Sequence, residues 1–208
     1  GHGVHQVLAG SQGHLMSDTP LTLAETASVF GEMLTFRKML DDTSDVLKRR
    51  VMLASKIEDM INTVVRQIAF FEFERRVHTQ RSKGALLTEE ICDIWMEVQS
   101  ESLGPAILLE DGYRHYWSYI PHFIHSPFYV YAYAFGDCLV NSLYAAYQEK
   151  PQGFELKYLD MLRAGGSLRH KQLLAPFGID ASEPAFWHQG LSVISSLIDE
   201  LVQMDIEK

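Results

Sequence analysis

The segment from residue 119 to residue 133 concentrates side chains that can bind the polar groups of a substrate. It contains Tyr119, His122, His125, Tyr129, Tyr131 and Tyr133. Phenol and imidazole groups donate hydrogen bonds at neutral pH. One interpretation is an aromatic core with a few tyrosines at an interface. The other is a wall that holds a substrate and stabilises an oxyanion, with Tyr129 and Tyr133 on one helix face.

The first two residues, Gly1 and His2, allow a metal-binding interpretation. Peptidases with an H-E-x-x-H helix bind one zinc ion through two histidines one turn apart, and the glutamate acts as general base. A third ligand comes from elsewhere in the chain. Gly1 and His2 match the last two positions of such a motif, although a histidine here can also be an exposed side chain without a function.

Glu25 is the candidate for the later ligand, and its local sequence allows two interpretations. Thr22-x-x-Glu25 is a capping box, in which the glutamate reaches back to the start of its own helix. Alternatively, Glu25 faces inward as an anionic ligand, with Glu32 as a second carboxylate on the same face at i+7. The sequence by itself leaves both open.

The elements that must position these residues are helical. Apolar residues every three or four positions predict helices at 1–10, 22–40, 44–83, 88–104, 126–150, 154–163, 167–175 and 183–205. The longest of these allows for a kink or break. The stretch 128–135 alternates like a strand, but Ser126-Pro127 is a helix-opening pair, so we predict that a helix starts there. The predicted fold class is all-α.

Composition limits the kind of protein and its partners. The 208 residues carry a formal net charge of −9, which argues against nucleic acid or an anionic membrane as the main partner. This length fits a single domain over residues 1–208. Cys92 and Cys138 have no second cysteine at metal-ligand spacing, which predicts buried free thiols in a reducing, cytoplasmic compartment. No apolar run approaches the ~20 residues of a membrane span.

Several stretches together resemble the oligoendopeptidase F family, which is related to thimet oligopeptidase. Residues 1–6 (GHGVHQ) are similar to the continuation of its H-E-x-G-H helix, and residues 25–32 (ETASVFGE) to its third-ligand helix. Residues 120–123 (IPHF) and 128–134 (FYVYAYA) resemble its histidine-and-tyrosine segment. Residues 162–167 (LRAGGS) and 173–180 (LLAPFGID) resemble its closing helices.

The resemblance implies a zinc-dependent endopeptidase that hydrolyses short peptides. His2 and Glu25 would be two of the three zinc ligands. His122, Tyr129 and Tyr133 would stabilise the tetrahedral intermediate, facing the metal across a cleft, and Tyr131 and His125 would contact the substrate. The implied fold is the C-terminal part of a bowl-shaped, zincin-type, all-helical catalytic domain.

The sequence departs from the family pattern at its start. The first zinc histidine and the general-base glutamate are not among the 208 residues, and we interpret this as truncation inside the zinc-binding helix. The expected partners are therefore short peptides and the missing N-terminal part of the same protein. The alternative is a noncatalytic helical module that binds peptides or other partners, in which Glu25 caps its own helix and His2 lies far away.

We predict that the 208-residue chain alone is catalytically inactive and binds zinc weakly or not at all. It contains at most two of the three ligands and lacks the general base. The measurement is cleavage of short peptides at stoichiometric zinc. Turnover by the isolated chain would contradict this prediction.

Overall fold

The structure, a computed structural model, describes residues 1–20 and 23–206 and contains only helices and irregular segments there. The α-helices are α1 His2–Ala9, α2 Thr26–Asp42, α3 Val46–Thr63, α4 Val65–Arg81, α5 Thr88–Leu103, α6 His122–His125, α7 Tyr131–Glu149, α8 Phe154–Arg163, α9 His170–Leu174 and α10 Pro184–Ile206. Among the described residues, 3-10 helices cover Gly10–Gln12, Asp111–Tyr119 and Ala175–Phe177. The predicted all-α class is confirmed. Within the described ranges, no helix combines the length and hydropathy that crossing a lipid bilayer requires.

The long helix predicted at 44–83 is two helices, α3 and α4. The break falls at Val64, whose φ of −100° and ψ of −69° lie off the regular helical values. Thr63, Val64 and Val65 form a run of β-branched residues, which lose side-chain freedom in a helix. The apolar periodicity continues across the break, which is why the pattern alone predicts one helix.

Two predicted helix starts are wrong. The helix of Glu25 begins at Thr26, with Glu25 as its N-cap, and Thr22 lies outside the described residues. The helix predicted from Ser126-Pro127 begins only at Tyr131, because Phe128 has a φ of 61° and its N–H is bonded to the Glu74 carboxylate. A residue in the left-handed region cannot belong to the first turn of an α-helix.

Contacts between Cα atoms divide the chain into two compact units. The first comprises Gly1–Met60 and Phe135–Lys208, and the second Ile61–Ala134. Our assignment of residues 1–208 to a single catalytic domain stays a prediction.

In the first unit, α1 packs against α2 and α8. The Phe30 ring of α2 lies 4.6 Å from the Tyr158 ring of α8, and the Tyr158 hydroxyl donates a hydrogen bond to the Thr26 carbonyl at 3.1 Å. The turn after α8 is fastened as well, since the Gly166 N–H donates to the Met16 carbonyl at 2.7 Å. These contacts hold the beginning of α2 in place beside α1.

The second unit has an aromatic core. Phe70 and Phe73 of α4 pack on Trp95 of α5, with ring centroids 5.6 and 5.2 Å apart. The Trp95 indole N–H donates to the Tyr113 carbonyl at 3.0 Å, and this hydrogen bond joins the 3-10 helix Asp111–Tyr119 to α5. The segment that carries His122 therefore follows a 3-10 helix that is bonded to α5.

A buried carboxyl group, Asp137, lies in the first unit on α7. It is only 5% exposed and accepts a hydrogen bond from Asn141 Nδ2 at 2.9 Å. Burial raises the pKa of Asp137 from 3.8 to about 6, and the charges of Glu32 and Asp59 add to this effect, while Lys56 and the Asn141 hydrogen bond oppose it. The ionised form of Asp137 is therefore a destabilising feature at neutral pH.

We predict that Asp137→Asn stabilises the protein at pH 7 by up to ~3 kcal/mol. Because the folded pKa lies above the unfolded one, the wild-type protein loses stability as pH rises from about 4 to about 6, and the amide removes this loss. The measurement is urea unfolding at pH 4 and pH 7.5. The gain in stability from Asp137→Asn should vanish at pH 4. As a control, Asp199→Asn at an exposed position should change the unfolding free energy by at most about 0.5 kcal/mol. An equal effect of Asp137→Asn at both pH values would contradict the pKa argument.

Candidate metal and substrate site

The side chains of His2 and Glu25 meet in the first unit. His2 is the first residue of α1, and Glu25 is the N-cap residue of α2. His2 Nε2 lies 3.4 Å from Glu25 Oε2, and the two side chains are 61% and 40% exposed. The structure thus brings the imidazole and the carboxylate together on an accessible surface.

Gly1 permits this meeting. A Cβ atom at Gly1 would lie 2.5 Å from the backbone nitrogen of Ser28 and 2.6 Å from the carbonyl carbon of Ala27. Backbone atoms of a helix cannot move aside as a flexible side chain can. Only glycine therefore allows the start of α1 to lie directly on the first turn of α2.

Ser28 holds the Glu25 carboxylate. Its hydroxyl lies 2.8 Å from Glu25 Oε2 and 3.0 Å from the Glu25 carbonyl oxygen. In the described part of the chain, the Glu25 side chain makes no capping hydrogen bond to α2. The geometry does not fit the capping interpretation of Glu25. It also does not fit the expectation that His2 lies far from Glu25.

A second histidine lies beside the pair. His5 is 4% exposed, and its pKa is lowered, first by burial and then by the charge of His2. A cavity of about 330 Å³ is lined by His2, His5, Gln6, Asp18, Thr19 and Ala24. Over residues 1–20 and 23–206, no three His, Cys, Asp or Glu side chains form a complete metal-binding group, so the His2–Glu25 pair offers two donors.

In the second unit, His122, Tyr129 and Tyr133 form a cluster. The Tyr133 hydroxyl lies 3.3 Å from His122 Nε2. The Tyr129 ring is stacked on the His122 ring at 5.8 Å and lies 5.4 Å from the Tyr133 ring. Tyr129 belongs to the turn before α7 rather than to the helix, yet the predicted proximity of the two tyrosines is present. The cluster is partly exposed and can offer both hydroxyl and imidazole groups to a ligand.

Three other candidates make different contacts. The Tyr131 ring packs on Phe71 at 5.8 Å, and His125 is an exposed residue at the end of α6. Glu32, expected as a second inner carboxylate, accepts a hydrogen bond from Lys56. Lys56 is 8% exposed, so this ion pair neutralises a nearly buried ammonium group.

Two residues that organise these groups are not among the predicted site residues. Ser28 is three positions after Glu25, and this spacing is the signal that its hydroxyl can reach the carboxylate. Glu74 falls on the apolar stripe of α4 with Phe70, Phe73 and Val77, and a carboxylate on such a stripe is the signal of a buried polar contact.

Comparison with solved structures defines the class of the fold. The chain superposes on the crystal structure of oligoendopeptidase F from Enterococcus faecium with a TM-score of 0.85 and 26% identity, covering 100% of this chain and 38% of the other. The fold is therefore that of an all-helical oligopeptidase. The model of Peptidase family M3 matches residues 1–193, and the chain belongs to this family.

Two curated relatives match nearly the whole chain. Oligopeptidase PepF of Bacillus subtilis is 27% identical over 206 residues, which are 98% of this chain and 31% of the relative. An oligoendopeptidase F homolog of Lactococcus lactis is 27% identical over 210 residues, covering 100% of this chain and 35% of the relative. The chain thus spans about a third of the length of these relatives, and the resemblance to the oligoendopeptidase F family is confirmed.

We predict that Gly1→Ala destabilises the protein by about 1–3 kcal/mol, because the added methyl group overlaps the backbone of α2. The measurement is the unfolding free energy in urea. Gly3→Ala is the matched control, since a Cβ at Gly3 meets nothing within 4 Å, and alanine in a helix should stabilise by about 0.5–1 kcal/mol. Equal effects of the two substitutions would contradict the proposed close approach.

Proposed function

We propose that this chain supplies two zinc ligands and a group of substrate-binding side chains to an oligoendopeptidase that hydrolyses short peptides. The observation that carries the proposal is the 3.4 Å separation of His2 Nε2 and Glu25 Oε2. Two ligand atoms bound to zinc at about 2.0–2.1 Å with tetrahedral geometry lie roughly 3.3–3.4 Å apart. The donor types and their spacing therefore fit a zinc ion, and family membership favours the same assignment.

His2 and Glu25 would hold the metal in different ways. Nε2 of His2 faces the carboxylate, so a neutral imidazole would bind through Nε2 and keep its proton on Nδ1. Glu25 would contribute the negative charge, and the Ser28 hydroxyl would fix the orientation of its carboxylate. When bound, zinc supplies the Lewis acidity that activates water and polarises the scissile carbonyl.

The cluster of His122, Tyr129 and Tyr133 would bind the peptide. Hydroxyl and imidazole groups held by packing can donate hydrogen bonds to a carbonyl oxygen as negative charge develops on it. Removing one such donor typically raises the barrier by about 2.7–4 kcal/mol. Tyr131 and His125 would make further contacts with the substrate. That the cluster faces the metal pair across a cleft stays a prediction.

The remaining parts of the site would come from the rest of the same protein. The first zinc histidine and the general-base glutamate of an H-E-x-G-H helix are not among the 208 residues. The two cysteines, Cys92 and Cys138, are buried free thiols, which supports a place in the reducing cytoplasm.

The proposed partners are short peptides and the remainder of the polypeptide, which would complete the site.

We predict that Glu25→Gln in the complete protein weakens zinc binding by more than about 100-fold and abolishes peptide cleavage at limiting zinc. The amide keeps the shape of the side chain but removes the anionic donor. Zinc affinity is measured by competition with a chelator of known affinity, and cleavage with a quenched fluorescent peptide.

Two further variants complete this experiment. Ser28→Ala should weaken zinc binding by about 10–100-fold, because the carboxylate loses the hydroxyl that orients it. Glu58→Gln, at an exposed position of α3, should leave both measurements unchanged. Zinc binding by Glu25→Gln equal to that of the Glu58→Gln control would rule out Glu25 as a ligand.

A further inference from the structure

A carboxylate is buried in the aromatic core of the second unit. Glu74 of α4 is 1% exposed and lies on the same helix stripe as Phe70 and Phe73. Burial raises the pKa of Glu74, the Phe128 N–H hydrogen bond opposes this rise, and the charges of His78 and His122 oppose it further. Taking a carboxylate out of water is unfavourable unless hydrogen bonds or opposite charges compensate for the lost hydration.

Glu74 binds a segment that is distant in the sequence. Its Oε1 accepts a hydrogen bond from the Phe128 N–H at 2.9 Å, across 54 positions. Phe128 has a φ of 61°, and in the described ranges it is the one residue other than glycine with a positive φ. Bulky residues rarely adopt this conformation, so the hydrogen bond stabilises a backbone that the local sequence disfavours.

The ring of Phe128 is held from the same helix. It packs edge-on against Phe71 at 6.0 Å and lies 4.8 Å from the ring of His78. Thus α4 fixes both the backbone and the side chain of Phe128. The hydrogen bond from Tyr129 N–H to the Ser126 carbonyl at 3.1 Å closes the turn around this residue.

The turn determines where Tyr129 lies. Tyr129 directly follows Phe128, and its ring stacks on His122 and contacts Tyr133. A change in φ at Phe128 would rotate the backbone that carries Tyr129 away from the His122 ring. The position of the cluster therefore depends on a carboxylate of another helix, α4.

We propose that Glu74 is a positioning residue for the His122–Tyr129–Tyr133 cluster, acting through its hydrogen bond to the Phe128 N–H. Its effect on catalysis rests on the proposed function, whereas its effect on the geometry of the cluster does not. What the turn needs is an acceptor for the Phe128 N–H, and the negative charge is not required. Glu74 Oε2 is buried, and within the described residues it has no hydrogen-bond partner.

The experiment compares Glu74→Gln, which keeps an oxygen acceptor, with Glu74→Met, which has a similar length but only a weak sulfur acceptor. Val98→Ala is the control for stability alone, because it opens a cavity in the same unit where Val98 is 2% exposed. In the 208-residue chain, the readouts are the NMR signals of the His122 ring and of fluorotyrosine at position 129. In the complete protein, the readouts are kcat and KM for a short peptide.

Glu74→Gln should keep the Tyr129 signal, with kcat/KM within about twofold of the wild type. Glu74→Met should shift the His122 and Tyr129 signals and lower kcat/KM by about 100-fold, mostly through kcat, as expected for misplaced catalytic groups. Val98→Ala should lower the unfolding midpoint without either change.

The outcomes separate the two proposals. Unchanged NMR signals in Glu74→Met, or equal effects of Glu74→Gln and Glu74→Met, would overturn the positioning role. Shifted signals with an unchanged kcat would support the positioning role and overturn the assignment of the cluster to catalysis. If Glu74→Met does not fold, the rate of hydrogen exchange in the wild-type chain tests the hydrogen bond between Glu74 and Phe128 instead. The Phe128 amide should exchange slowly, and fast exchange would overturn the inference.

Discussion

The contact between the first turns of α1 and α2 is the constraint on which the proposed metal site depends. At Gly1 there is no room for a side chain, because the backbone of Ala27 and Ser28 lies where a Cβ would be. That close approach brings the first side chain of α1 and the N-cap side chain of α2 within 3.4 Å of each other. A larger separation of the helix starts would leave an exposed histidine and an exposed glutamate with no common role.

The second unit depends on buried hydrogen bonds within an aromatic core. Rings contribute a large share of its core, and aromatic pairs accept both offset-stacked and edge-to-face arrangements, so packing alone gives these rings no single direction. The hydrogen bond from Phe128 to Glu74, and the one from the Trp95 indole to the Tyr113 carbonyl, provide that direction. The unit therefore combines apolar burial, which gives stability, with a few buried polar contacts that select one arrangement of its aromatic side chains.

Much of the fold could be predicted from the sequence because helices have a strong periodic signal. The ends of α8 follow directly from Pro151, Gly153, Gly165 and Gly166. The apolar pattern of residues 44–83 allows a break but does not locate it at Val64, since apolar periodicity is the same in one bent helix and in two. The start of α7 could not be predicted, because it depends on a hydrogen bond between Glu74 and Phe128, which are 54 positions apart.

The candidate site shows the same limit. Glu25 matches both a capping box and a ligand position, and local sequence cannot choose between them. The choice depends on where α1 lies, which is a matter of tertiary packing. The rings of Tyr129 and Tyr133 lie 5.4 Å apart although the backbone of Tyr129 is not helical, because a compact turn can place residue i near residue i+4 as a helix does.

The central claim is that His2 and Glu25 bind the same zinc ion. The most direct measurement is an anomalous difference map, recorded on both sides of the zinc absorption edge, from crystals of the complete protein grown with zinc. We expect one strong peak about 2.0–2.2 Å from both His2 Nε2 and a carboxylate oxygen of Glu25. A strong peak bound by other residues, with His2 and Glu25 both outside bonding distance, would contradict it.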